Sequence, residues 1–110
     1  MRPPEELKIV FIGTGAIGGT IGGWTAQQHP QTSLLGRGPT VEVLRARGVR
    51  LYPGDRPEQV EHIPVRAIES LAEVPDADVV VMAVKLYNLE PAARLVVDQL
   101  GDKPLVVGLQ

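Results

Sequence analysis

The sequence predicts an α/β protein built on a doubly wound parallel sheet, and three observations carry that prediction. Five of the six residues at 7–12 are apolar, without the polar alternation of a half-exposed strand, as expected for a strand covered on both faces. The run leads into Gly13, Gly15 and Gly18, spaced as G-x-G-x-x-G, and then into a helix-length segment at residues 16–28. Strand-length and helix-length segments alternate along most of the remaining chain, which favours parallel strands joined by right-handed crossovers.

The glycine motif is typical of a turn that binds a dinucleotide pyrophosphate. Gly13 permits a tight turn out of the strand, Gly15 lets backbone approach the phosphates, and Gly18 lets the helix pack closely on the sheet. The free N–H groups and positive dipole end of the helix face the same phosphates. The alternative is a glycine-rich turn without a ligand. The strand before the motif and the helix after it favour the binding interpretation.

The helix that follows the motif is rich in glycine. Gly18, Gly19, Gly22 and Gly23 each cost up to about 1 kcal/mol relative to alanine in a helix interior. We therefore expect this helix to be held by close packing and not by its own propensity.

The middle of the chain predicts shorter elements. The first helix ends at His29-Pro30, because proline cannot continue a helix. A second strand runs from residue 32 into a loop at 37, a second helix covers 41–47, and a third strand covers 49–52. Gly48 stands where a glycine commonly ends a helix. Residues 62–65 predict an edge strand, because Pro64 cannot lie in a central one, and residues 68–74 predict a short helix or turn.

The last third predicts two buried strands around an amphipathic helix. The strands cover residues 78–84 and 104–109. Asn88 is a candidate N-cap for the helix between them, whose inward stripe is Leu89, Ala92, Ala93, Val96 and Leu100. A complete dinucleotide fold usually has about six strands and further elements for its substrate. Residues 1–110 are therefore predicted to be one cofactor-binding domain, the N-terminal part of a two-domain protein.

Composition excludes several classes of function. The formal net charge of −2 gives no electrostatic case for binding nucleic acid or an anionic membrane, and the absence of cysteine removes thiolate catalysis and zinc–cysteine sites. No apolar run approaches the ~20 residues of a membrane helix, and residues 1–6 do not form a signal peptide, so a cytoplasmic location is expected. Asp76 and Asp78 have no third ligand, so no metal site is predicted. The side chains expected to have no site role are His29 and His62, as surface residues, and Trp24 and Tyr87, as packing residues.

The residue after the second strand indicates which dinucleotide is bound. An acid about 20 residues beyond the glycines binds the ribose 2′-hydroxyl in NAD sites. Here that position reads Gly36-Arg37-Gly38, and no acid occurs before Glu42. The planar, permanently charged guanidinium of Arg37 suits a 2′-phosphate, which favours NADP(H). A solvent-exposed loop arginine is the alternative.

Lys85 is the second candidate cation. It follows the apolar strand at 78–84, at the carboxyl end where open α/β sheets bind ligands. Its ammonium could donate hydrogen bonds to ribose hydroxyls or to a bound 2-oxo acid. A surface lysine at a strand end remains an equal alternative.

Together these stretches resemble the ketopantoate reductase (2-dehydropantoate 2-reductase) family. The resemblance rests on Gly-Thr-Gly-Ala-Ile-Gly-Gly at 13–19, Leu-Leu-Gly-Arg-Gly at 34–38, the segment 44–51, Asp-Val-Val-Val-Met-Ala-Val-Lys at 78–85, and residues 105–110. The arginine–glycine after the second strand and the valine–lysine that ends the later strand are its more specific parts.

The resemblance implies a Rossmann-type domain and an NADPH-dependent reduction of ketopantoate to pantoate, toward pantothenate and coenzyme A. The matching positions would serve the cofactor: Gly13, Gly15, Ala16, Ile17 and Gly18 at the pyrophosphate, Arg37 at the 2′-phosphate, and Lys85 at the nicotinamide ribose, where it lines the active site without being the general acid. The family's helical second domain would supply the catalytic lysine and a substrate-binding acid. The implied partner is a small 2-oxo acid, with a homodimer as a candidate assembly of the full-length form.

Two other functions stay open on the sequence. One is a stand-alone nucleotide-sensing regulatory module, which usually keeps the acid that Arg37 replaces. The other is a different two-domain NAD(P)-dependent dehydrogenase, such as a glycerol-phosphate type.

Overall fold

A computed structural model describes residues 3, 6–13, 16–36, 38–51, 61–84 and 89–108. The strands are β1 (Ile9–Ile12), β2 (Thr32–Leu35), β3 (Val49–Leu51), β4 (Glu61–Ile63), β5 (Arg66–Ile68), β6 (Val79–Met82) and β7 (Leu105–Gly108). The helices are α1 (Ala16–Gln28), α2 (Pro39–Arg47) and α3 (Leu89–Leu100), with a 3-10 helix at Leu71–Glu73. The predicted bounds of the first helix are confirmed. The helix after Gly38 begins earlier than predicted, because Pro39, with its fixed φ, already forms its first turn.

Five strands form one parallel sheet in the order β5-β2-β1-β6-β7. Ile9 of β1 lies beside Thr32 of β2 and beside Val79 of β6, so the central strand pairs on both sides. All four β1 residues are buried, which confirms the buried strand predicted from the apolar residues at 7–12. From β1 the chain moves toward one edge of the sheet, and from β6 it moves toward the other. The predicted doubly wound, Rossmann-like α/β class is therefore confirmed.

Two apolar clusters cover the two faces of this sheet. One contains alternate residues of β1 and β6 with the inward side of α3: Val10, Ile12, Val80, Met82, Ala92, Val96 and Leu100. The other cluster contains residues of β1, β2 and β6 together with two residues of the second sheet: Ile9, Phe11, Leu34, Val81, Val49 and Ile63. Because successive residues of a strand face opposite sides, an unbroken apolar strand supplies both clusters.

The packing expected of the glycine-rich helix is observed at two glycines. A Cβ added at Gly22 would lie 2.6 Å from Cδ2 of Leu34, and one at Gly23 would lie 3.0 Å from Cγ1 of Val49. The helix therefore lies between the main sheet and β3 with no room for larger residues. Trp24, predicted to be a packing residue, is 56% exposed, so that prediction is wrong. The helix packs through its glycines, and its largest side chain is left outside.

The third strand of the main sheet differs from the prediction. Residues 49–51 form an antiparallel pair with β4, separate from the parallel sheet. The place beside β2 is taken by β5, which covers two residues that were assigned to no element and the first residue of the predicted short helix or turn at 68–74. Gly48 (φ +70°) makes the hairpin compact, because a Cβ there would overlap the carbonyl oxygen of Ile63. Pro64 stands just after β4, in keeping with its exclusion from a central strand.

The last strand was predicted to be buried, and that prediction is wrong. Leu105, Val106 and Val107 are 57%, 45% and 38% exposed, because β7 is an edge strand paired only with β6 among the described strands. None of the helices in the described ranges is long and apolar enough to cross a membrane.

Candidate functional site

The carboxyl ends of β1 and β6 form the centre of the candidate site. These neighbouring strands lie where the winding of the sheet reverses, and open α/β sheets bind ligands in the crevice at this position. The two strand ends are linked, because the Ala83 N–H donates a hydrogen bond to the Ile12 carbonyl oxygen at 2.8 Å. The glycine turn follows one strand, and the chain that leads toward Lys85 follows the other.

Gly13 makes the turn out of β1 in a conformation that favours glycine, with φ +96°. A Cβ at this position would overlap the Ala83 carbonyl oxygen and lie 2.9 Å from the carbonyl carbon, with Cγ1 of Val84 at 3.1 Å. Gly13 therefore has a backbone conformation that agrees with the tight turn expected from the motif. The reason for glycine here is the close approach of the backbone after β6, which was not predicted, so Gly13 is required by the protein itself before any ligand is considered.

The start of α1 is the candidate anion-binding element. The helix begins at Ala16 directly after the turn, and its first turn contains no acidic side chain. The first N–H groups of a helix have no partners within it and carry a partial positive charge. Ala16, Ile17 and Gly18 lie in this first turn, while Gly15 lies outside the described residues. Contact of these four residues with a pyrophosphate stays a prediction.

The carboxyl end of β2 carries the predicted cofactor-selecting residue. Arg37 lies outside the described residues, but both of its neighbours are described. The Gly36 N–H donates to the Ile68 carbonyl oxygen at 3.0 Å, and Gly38 has φ +51° before α2 begins. The carboxyl ends of β2 and β1 lie side by side, because the two strands are parallel and Leu35 pairs with Ile12. The role of Arg37 toward a 2′-phosphate stays a prediction.

The carboxyl end of β6 leads into the second predicted cation. Lys85, Tyr87 and Asn88 lie outside the described residues. Val84 before them and Leu89 after them are half-buried. Both pack against the apolar cluster that includes the inward side of α3, which anchors the two ends of this connection. The role of Lys85 in the active site therefore stays a prediction, as does the N-cap role of Asn88.

Asp76 and Asp78, the two aspartates considered as metal ligands, lie near the amino ends of β1 and β6, away from the candidate site. Asp76 forms an ion pair with Nζ of Lys8, and Oδ2 of Asp78 accepts the Lys8 backbone N–H at 3.0 Å. These contacts tie the starts of β1 and β6 together. Among the described residues, no three His, Cys, Asp or Glu side chains come together as a metal site. His62 is exposed and His29 half-buried, both away from the strand ends that form the crevice.

A capping box follows β5. Oε2 of Glu73 accepts the N–H groups of Glu69 and Ser70 at 2.8 and 3.2 Å, while Oγ of Ser70 accepts the Ala72 N–H. These two backbone hydrogen bonds, with smaller contributions from Arg45 and Arg66, lower the pKa of the Glu73 carboxyl. The box ends β5 and starts the chain's return toward β6, so it supports the site only through the fold.

The partners in two sets of close packing contacts behind the site were not predicted from the sequence. Ala83 contacts Gly13 through its backbone, and no sequence pattern indicates such a contact. Leu34 and Val49 pack closely against α1 at Gly22 and Gly23, and these consecutive glycines did indicate a close contact in the sequence. Both sets of contacts position the start of α1 relative to β1 and β6.

Comparison with known proteins relates nearly the whole chain to one family. The family model described as ketopantoate reductase PanE/ApbA matches residues 9–110. A 2-dehydropantoate 2-reductase from Mesorhizobium japonicum is 36% identical over 105 residues, which cover 94% of this chain and 31% of that protein. A PanE/ApbA family ketopantoate reductase from Ralstonia eutropha superposes with a TM-score of 0.77 at 32% identity, covering 93% of this chain and 34% of that one. The 2-dehydropantoate 2-reductase from Methylococcus capsulatus gives 0.73 at 26% identity, covering 93% and 33%.

The match thus covers nearly all of this chain but only part of each relative. The chain spans about a third of the length of these relatives, 31% of the Mesorhizobium protein and 34% of the Ralstonia protein. The β1–α1 turn, β2 and β6 all lie within the matched residues 9–110.

Proposed function

The chain belongs to the ketopantoate reductase family, and on that premise we propose that it is the NADP(H)-binding domain of an enzyme that reduces ketopantoate to pantoate. The observation that carries this proposal is the position of the glycine turn. Gly13 and the start of α1 lie at the carboxyl edge between β1 and β6, where the winding of the sheet reverses. Pantothenate and coenzyme A biosynthesis is the proposed context, and the cytoplasm the proposed location.

The described residues fit a dinucleotide at this edge. The first turn of α1 has no acidic side chain, and the first N–H groups of a helix have no partners within it, which suits a pyrophosphate. The sequence places Arg37 after β2, where a permanent positive charge favours a 2′-phosphate over a free hydroxyl. The cofactor proposed is therefore NADP(H), with Gly13, Gly15, Ala16, Ile17 and Gly18 at its pyrophosphate.

The chemistry divides between this chain and residues outside it. A bound nicotinamide supplies the hydride that reduces the keto carbon of the 2-oxo acid. Lys85 follows β6 at the same edge, and its ammonium would donate hydrogen bonds to a ribose hydroxyl or to the substrate. Reduction also needs a carboxylate anchor, a general acid and walls that exclude water. We assign these to a second, helical domain, and we expect the 110-residue chain to bind NADPH without turning over ketopantoate.

Titration of the 110-residue chain with NADPH, by calorimetry or nicotinamide fluorescence, tests the binding half of the proposal. Gly15→Val should abolish binding and leave the circular dichroism spectrum unchanged, because the added side chain projects where the pyrophosphate must approach. Retained binding in a folded Gly15→Val chain would mean that the motif is only a turn.

Loss of NADPH absorbance with ketopantoate tests the second half. Turnover by residues 1–110 at typical enzyme rates of about 1–1000 per second would place the whole active site in this chain. That result would refute the proposal that a second domain supplies the substrate anchor and the general acid.

A further inference from the structure

The turn after β1 rests against the chain that continues from β6. Of the described atoms nearest to a Cβ built at Gly13, two belong to the Ala83 backbone, and the third is Cγ1 of Val84 at 3.1 Å. The Ala83 N–H also donates a hydrogen bond to the Ile12 carbonyl oxygen at 2.8 Å, so the residue before the turn is held by the same stretch of backbone. Val84 supplies the side chain of this contact.

The core in turn holds the Val84 side chain. It is half-buried and packs against the apolar cluster that contains Val80 and Met82 of β6. Alternate residues of a strand share a face, so Val84 continues this row beyond the end of β6. A side chain branched at Cβ has few rotamers, which limits its movement. Val84 is therefore a stiff support between the core and the Gly13 turn.

We propose that Val84 is a positioning residue for the dinucleotide, because it holds the Gly13 turn and, through the turn, the start of α1. The inference rests on the proposed function. Only residues 14 and 15 separate Gly13 from Ala16, where α1 begins. A shift of the turn would therefore move the first N–H groups of the helix, which are the proposed partners of the pyrophosphate. In this role Val84 acts through the turn and not by contact with the cofactor.

The alternative is that Val84 serves only the core, and Val79 offers the matched comparison. Val79 is also a half-buried valine, but it lies at the amino end of β6. It pairs with Ile9, four residues before Gly13. Truncation of either valine to alanine removes two methyl groups from a similar environment, so the losses of stability should be similar. A positioning role predicts that the two variants differ in cofactor binding instead.

Calorimetric titration of the 110-residue chain with NADPH tests the proposal. Val84→Ala should weaken NADPH binding by about tenfold, the effect of losing one hydrogen bond to a charged group. Val79→Ala should bind NADPH as wild type does, and urea unfolding should show similar losses of stability in the two variants. Val84→Ile keeps the branched Cβ and should restore binding close to that of wild type. Circular dichroism should show every variant folded.

Adenosine 2′-monophosphate locates the effect within the site. This ligand carries the 2′-phosphate but lacks the pyrophosphate, so its binding should not depend on the start of α1. Its affinity, measured by NMR titration, should be the same for wild type and Val84→Ala. The Lys85→Ala background separates the turn from the residue that follows Val84. Val84→Ala should weaken NADPH binding by the same factor in that background as in wild type.

Three outcomes would overturn the positioning role. Equal NADPH affinities of Val84→Ala and Val79→Ala would leave Val84 as a core residue only. An equal loss of affinity for adenosine 2′-monophosphate would indicate a general disturbance of the domain. Disappearance of the Val84→Ala effect in the Lys85→Ala background would mean that Val84 acts through Lys85 and not through the turn. Failure of the wild-type chain to bind NADPH would instead refute the proposed function itself, and this inference with it.

Discussion

Replacement of Gly13 by alanine should damage the fold and the cofactor site together. The backbone at this position has φ +96°, which costs a residue with a side chain about 1–3 kcal/mol. The new methyl group would also overlap the Ala83 carbonyl, and displacing packed backbone costs a further ~1–3 kcal/mol. We therefore expect Gly13→Ala to lower the free energy of unfolding by about 2–6 kcal/mol, a large share of the ~5–15 kcal/mol typical of a domain.

Gly101 provides a matched control for the strain alone. Its φ is +69°, and a Cβ there would meet nothing within 4 Å. Gly101→Ala should cost only about 1–2 kcal/mol. Both substitutions reduce the entropy of the unfolded chain in the same way, so that contribution cancels in the difference.

Urea unfolding followed by circular dichroism measures both losses, and NADPH titration of the folded variants measures the site. Gly13→Ala should weaken NADPH binding, because the displaced turn carries the start of α1, whereas Gly101→Ala should bind as wild type does. Equal losses of stability in the two variants would refute the close approach of Gly13 to the Ala83 backbone.

Four further predictions concern single side chains. Arg37→Asp should weaken NADPH binding by about 1–3 kcal/mol or more while NADH binding is unchanged or improved; equal losses for the two cofactors in calorimetry would reject the 2′-phosphate role. Lys85→Ala in a full-length enzyme should lower kcat/KM for the 2-oxo acid and leave Tm nearly unchanged; an unaffected rate would make Lys85 a surface residue. Ser33→Ala should raise the free energy of unfolding by about 1 kcal/mol, because Oγ of Ser33 is buried and has no hydrogen-bond partner among the described residues. Thr32→Val is the control expected to lose stability, since Oγ1 of Thr32 donates to the His29 carbonyl oxygen at 2.6 Å. A loss of stability in both variants would refute the inference that the Ser33 hydroxyl is unsatisfied. Glu73→Gln should be less stable than wild type at neutral pH, and the difference should shrink as pH falls below about 4.5 and through the lowered pKa of Glu73; a gap independent of pH would contradict the capping role.

The sequence allowed the strongest elements and the class of the sheet to be predicted, because long apolar runs and a spaced glycine motif are local signals. β5 could not be predicted, because three residues after Pro64 carry a weaker strand signal than residues 49–52. Its place beside β2 depends on pairing with Ser33–Leu35, which is a non-local contact.

The orientation of side chains was harder to predict than their secondary structure. α1 has apolar or small residues on every side, so its pattern did not indicate which side faces the core. Trp24 was consequently placed inside, although the helix approaches its neighbours through Gly22 and Gly23. β7 was predicted to be buried from its composition alone, which cannot distinguish an edge strand from a central one. Arg37 and Lys85 were chosen as candidate site residues because each follows the end of a predicted strand, and their roles remain predictions.

The glycines of α1 also bear on how the domain folds. A helix with so little intrinsic propensity gains its stability from Leu34 on one side and Val49 on the other. We therefore expect the first turn of α1, the proposed anion-binding end, to become stable only when both sheets pack against the helix. An anion bound there would stabilise the whole cooperative unit, by about 2.7 kcal/mol at a ligand concentration one hundred times Kd. If the proposed dinucleotide binds there, it would lower the fraction of chains that open to proteases, and the lifetime of the domain would follow the supply of that dinucleotide.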